Sequence, residues 1–158
     1  MSHISFSELK DWVHCPFYHK LTRVDGIDGF TGNQYTAFGS AIHSVCEKKL
    51  LQEQFDEDFF VKELKKNISE LDEPVDDKVV HQMMKQGNNI IPEIDDALNE
   101  YFEEYEVLAV EMPLYEDIEG HDRKFKGFID AIIKVPKKRG NGFNYWILDW
   151  KTANAYGW

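Results

Sequence analysis

A chain of 158 residues, 42% hydrophobic and 14% aromatic, has the composition of one packed globular domain and excludes a disordered or collagen-like protein. No apolar run approaches the roughly 18 to 20 residues of a membrane helix, Met1 to Lys20 lacks the apolar centre of a secretory leader, and two cysteines, Cys15 and Cys46, are too few for a disulfide framework, so the expected setting is the reducing cytoplasm. The net charge of −11 excludes a chain that binds phosphates by overall basicity.

The amino-terminal two thirds reads as helices. Ser5-Phe6-Ser7-Glu8 fits a capping box, in which the serine accepts from the Glu8 amide and the glutamate reaches back. The helix it opens is expected to turn Phe6, Leu9 and Val13 inward and to break or restart at Pro16. Glycines and aspartates between Asp25 and Asn33 predict a loop. A second helix is expected over about Ala37 to Gln52, with Phe38, Ile42, Val45 and Leu50 on its apolar stripe. The third repeats apolar residues at helical spacing from Val79 and Val80 to Tyr101 and Phe102. Pro92 inside it is expected to kink it near Asn88. The acidic stretches Glu53 to Asp58 and Asp95 to Glu106 read as solvated faces.

From Tyr105 the period changes. Glu106 to Leu114, Lys124 to Val135 and Phe143 to Thr152 are rich in Val, Ile, Phe, Tyr and Trp, with a turn over Lys137 to Gly142. The fold class is therefore α+β, a single domain over residues 1–158: a mainly helical part (1–104) packed on a mainly antiparallel three-strand meander (105–158). Basic residues gather on this meander, at Arg123, Lys124 and Lys126 and at Lys134, Lys137, Lys138 and Arg139. They suit either a local basic rim for DNA or a solvated hairpin tip.

Two carboxylates stand out. Asp130 interrupts the apolar run Phe128 to Ile133, and Asp149 with Lys151 interrupts the aromatic run from Tyr145. Alternation along a strand puts Asp149 and Lys151 on one face. A charge buried without a partner costs several kcal/mol, so each aspartate needs a metal, an ion pair or a wet cleft. One alone also reads as a capped or salt-bridged structural carboxylate. Paired strands stand about 4.8 Å apart, close enough for two carboxylates to share a hard cation such as Mg²⁺. A metal there lowers the pKa of a bound water, and a lysine beside it orients that water and offsets transition-state charge. The trio suits phosphodiester hydrolysis.

Gly127-Phe128-Ile129-Asp130 followed by Ile147-Leu148-Asp149-Trp150-Lys151-Thr152 resembles the core of the PD-(D/E)XK nuclease superfamily, in its RecB-like exonuclease branch. Ser5-Phe6-Ser7-Glu8-Leu9 with Trp12 and Cys15-Pro16-Phe17-Tyr18, and Gly39-Ser40-Ala41-Ile42-His43, resemble that branch's amino-terminal signature and Gly-x-x-x-His helix. The resemblance implies a restriction-endonuclease-like α/β core and DNA as partner. It also implies Mg²⁺ or Mn²⁺ held by His43, Asp130 and Asp149, with Lys151 as catalytic lysine and Glu111 as a further ligand. In some relatives the Cys-Pro cysteine joins an iron–sulfur cluster with three later cysteines. No cysteine follows Lys151 here, so Cys15 is expected to be a small buried residue and a cluster to need residues outside this chain.

Only seven residues follow Lys151, without the Gln-x-x-x-Tyr element that the resemblance implies. The expectation is a nuclease domain lacking its carboxy-terminal part, with the last strand left as an edge that a second copy or another chain completes. Two functions follow: a metal-dependent DNA nuclease, of phage or repair exonuclease type, or a catalytically incomplete module that binds DNA or protein on the same scaffold.

Overall fold

The computed structural model describes residues 3–27 and 32–152, so 28–31 of the predicted loop and 153–158 lie outside the described residues. It is a mixed α+β structure with, among the described residues, a four-stranded sheet in which the third strand in chain order pairs with each of the other three. The residues fall into two compact units, Met1–Thr31 with Glu111–Ile129 and Gly32–Val110 with Asp130–Trp158.

In the first unit, β1 (His3–Ser5) lies parallel to the start of β3 (Lys124–Pro136), with Ile4 opposite Phe125. Sequence periodicity did not show β1, because three residues are too few to establish a period. Helix α1 (Phe6–His14) follows at once, capped by Ser5, whose hydroxyl accepts from the Glu8 amide at 3.2 Å. Glu8 turns its carboxylate to His19 at 3.1 Å instead. Pro16 opens α2 (Pro16–His19), where its missing N–H forfeits nothing, and a π-helical turn follows over Lys20–Val24.

Two expectations fail in this unit. Phe6, Leu9 and Val13 are 67%, 45% and 69% exposed rather than inward. Cys15 is half-buried and belongs to neither helix: its Sγ accepts from the Tyr18 amide at 3.4 Å, an N-cap to α2. Both failures have one cause. No described residue of this unit is fully buried, so amphipathic spacing has no core to turn toward.

The second unit holds the core. Asn33 and Thr36 form a reciprocal capping box at the start of α3 (Gln34–Leu50). That helix buries Ala37, Phe38, Ala41, Ile42, Val45, Cys46 and Leu50, the expected stripe widened by its small residues. Helix α4 (Phe59–Ser69) follows the acidic run and inserts Phe60 and Leu64. Phe59, Val61 and Ile68 pack beside them, a helical spacing that sequence reasoning did not assign. Helix α5 (Asp77–Phe102) is capped by Asp76 and buries Met83, Gly87, Ile94, Leu98 and Phe102. It runs on through Pro92 as one element, losing the single bond that a proline nitrogen cannot donate to Asn88. Gly87 is required here, since a Cβ would drive into the Phe60 ring.

β2 (Glu106–Asp117) neighbours β3, and the six residues between them are too few for a crossover, so the pair is antiparallel. β4 (Phe143–Leu148) is antiparallel to β3 from Pro136 opposite Phe143 to Ala131 opposite Leu148. Their turn closes with Lys137 N–H donating to the Gly142 carbonyl, and Gly140 and Gly142 supply its positive φ. Ala131 and Ile133 reach the core from β3. No helix among the described residues is long and apolar enough to cross a membrane.

Candidate active site

The strand carrying the last aspartate stops early. β4 ends at Leu148, so Asp149, Trp150 and Lys151 are not strand residues and their shared face does not come from β-alternation. The cause is a change of hydrogen-bond partner. The Trp150 N–H donates to Asp130 Oδ2 at 2.7 Å, and the Trp150 carbonyl lies 2.8 Å from His43 Nε2. Both main-chain polar groups of Trp150 are thus taken by side chains, one from β3 and one from α3, and the ladder cannot continue.

This contact explains the Gly-x-x-x-His spacing. Residues four apart lie above one another on a helix, so Gly39 and His43 share the face of α3 that meets the Trp150 segment. A Cβ on Gly39 would stand 3.0 Å from Thr152 Oγ1, tighter than ordinary contact. Glycine lets the chain pass, and one turn later His43 holds it.

The histidine's tautomer follows from the same bond. A carbonyl only accepts, so Nε2 carries the hydrogen, and in the neutral ring Nδ1 offers its lone pair. Nδ1 faces Asp130 Oδ2 at 3.7 Å, with the Asp130 side chain 13% exposed. Two ligand atoms each about 2.1 Å from one hard cation can lie up to about 4.2 Å apart, so this pair can share an ion. Metal-ligating histidines are usually held in this way, with the other ring nitrogen donating to a backbone carbonyl that fixes the ring's orientation. The donor set fits a divalent cation, which would supply a Lewis acid and a water of lowered pKa.

Asp149 and Lys151 pair with each other at 2.5 Å and are 58% and 61% exposed. The sequence had suggested two charges trapped in an apolar strand; they are solvated. Lys151 and Thr152 border a cleft of about 1030 Å³ walled by α3 and α5, with Phe38, Ile42, Ile94 and Leu98 among its apolar residues. Cys46 also lines it. Burial, opposed by Lys49 and reinforced by Asp130, pushes the Cys46 thiol up to about 12, so it stays protonated near neutral pH.

Glu111 stands in the other unit, as the first residue of its β2 segment. Its φ of 47° is left-handed backbone, a strain that functional residues often carry. Some of the basic residues on the meander are paired with carboxylates. Lys124 pairs with Asp117 at 2.7 Å, Lys134 with Glu106 at 2.6 Å and Lys138 with Glu103 at 2.9 Å.

Comparison with known protein families matches residues 3–158 to the PD-(D/E)XK nuclease superfamily. The chain belongs to that superfamily. No curated protein matches it. Asp149-Trp150-Lys151 has the spacing of an Asp-x-Lys element, and Asp130 lies on β3. Sequence reasoning missed Trp150, because its role lies in its main chain. The signal was present only indirectly, in a glycine and a histidine one helical turn apart.

Proposed function

We propose that this chain is a metal-dependent deoxyribonuclease of the RecB-like branch, an exonuclease acting on DNA ends in phage or repair metabolism. His43, Asp130 and Asp149 hold Mg²⁺ or Mn²⁺, with Glu111 added on the strength of the resemblance. Lys151 orients the attacking water and offsets charge developing on the phosphate. The observation that carries this reading is the meeting of His43 and Asp130 on the main chain of the Asp-x-Lys segment. The resemblance of the amino-terminal signature, whose Ser5 and Cys15 cap α1 and α2 here, supports the branch.

The test is cleavage of end-labelled linear and closed circular DNA with Mg²⁺ or Mn²⁺. Degradation of linear DNA alone, abolished by chelator and by Asp149→Ala, is expected; unchanged cleavage by that variant would overturn the assignment. A second reading is a catalytically incomplete module that binds DNA or protein on the same scaffold; the pairing of Lys124, Lys134 and Lys138 with carboxylates favours protein of the two, since paired lysines hold phosphates less well. Binding that persists in chelator, with no cleavage under any metal, would select it.

A further inference from the structure

Asp149 and Lys151 are exposed, lie outside any strand, and pair only with each other among the described residues. Reactive groups on such a segment need something rigid to aim them, because a displacement of about 1 Å can cost about 100-fold in rate. The residue between them is held at every point. Its N–H is fixed by Asp130, its carbonyl by His43, and its side chain packs on the buried cluster that includes Ile42, Cys46 and Leu98.

We propose that Trp150 is a positioning residue, the peg through which α3 and β3 set the geometry of Asp149 and Lys151, and that His43 aims this segment through Nε2 as well as offering Nδ1 to a cation. The two roles use opposite ring nitrogens and do not compete. They also reinforce each other: the bond to the Trp150 carbonyl locks the tautomer that leaves Nδ1 free to ligate. Asp130 is dual in the same way, its Oδ2 accepting the Trp150 N–H while facing the imidazole. The site is therefore assembled around the main chain of one residue, and its indole keeps that segment against the core.

The effect on rate rests on the nuclease reading; the clamp does not. Two measurements separate them. In the metal-free protein, amide exchange and imidazole ¹⁵N shifts by NMR should show a Trp150 N–H protected at least about 100-fold and His43 protonated at Nε2. The protection should be lost in Asp130→Ala. A freely exchanging Trp150 amide or an Nδ1–H tautomer would overturn the clamp, whether or not the protein cuts DNA. In cleavage assays, Trp150→Ala should lower kcat by about 10- to 100-fold with little change in KM, and Trp150→Phe, which keeps an aromatic anchor, should recover most of it. Equal kcat in Trp150→Ala would refute the positioning role. If Trp150→Ala does not fold, His43→Gln decides: its amide nitrogen replaces Nε2 as donor without offering the Nδ1 lone pair, so it should retain Trp150 amide protection that His43→Ala loses. Equal loss in both variants would overturn the proposal.

Discussion

The two compact units use the same kinds of residue to different ends. In the unit formed by Gly32–Val110 and Asp130–Trp158, the apolar faces of α3, α4 and α5 close on one another and on Ala131 and Ile133. In the other, α1 repeats the amphipathic spacing but leaves Phe6, Leu9, Trp12 and Val13 exposed, and its described contacts are caps and ion pairs such as Arg23 with Asp11 at 2.7 Å. The difference teaches that spacing specifies a face, while a core decides whether that face is buried. It also places His43, Asp130, Asp149 and Lys151 in the unit that has the core.

The comparison can be broken most severely at the site. Asp149→Ala or Lys151→Ala should reduce DNA cleavage by more than about 100-fold while leaving the thermal midpoint nearly unchanged, because both side chains are solvated. A large fall in the midpoint would show that they are structural. Next in size, Phe60→Ala should cost about 3 to 5 kcal/mol, and Gly87→Ala, which overpacks the same contact, about 1 to 3 kcal/mol, both read by chemical denaturation.

The Cys46 thiol sharpens the contrast by pH. Its proton is held up to about 12 in the fold against 9.0 for the free group, so the unfolded chain ionises first and stability falls as pH rises from about 9. The slope should approach 1.4 kcal/mol per pH unit, on the order set by one proton, and Cys46→Ala should flatten it. Thiol labelling at pH 8 should accordingly modify half-exposed Cys15 well before Cys46. The smallest effect is expected on the exposed face of α1, where Phe6→Ala or Val13→Ala should change stability by no more than about 0.5 kcal/mol. A larger loss would mean that this face is covered in solution.

Elements with a strong period were legible, α3 and α5 by their stripes and β2 to β4 by their β-branched and aromatic runs. α4 was not, its Phe60, Leu64 and Ile68 being set among lysines directly after an acidic run, and β1 was too short to have a period. The site was legible as chemistry but not as geometry. Asp130 and the Asp-x-Lys element announced themselves as charges out of place, yet the strand assigned to the latter ends at Leu148.

The sequence by itself determined what is local: the cap at Ser5, the helix periods, the turn at Gly140 and Gly142, and the motif order that marks a PD-(D/E)XK nuclease. Tertiary structure alone decided which apolar faces are buried and how Asp149 and Lys151 are held. The reason is range. Trp150 gives its N–H to a carboxylate 20 residues away and its carbonyl to an imidazole 107 residues away, and no pattern of neighbours along the chain encodes bonds that only folding brings together.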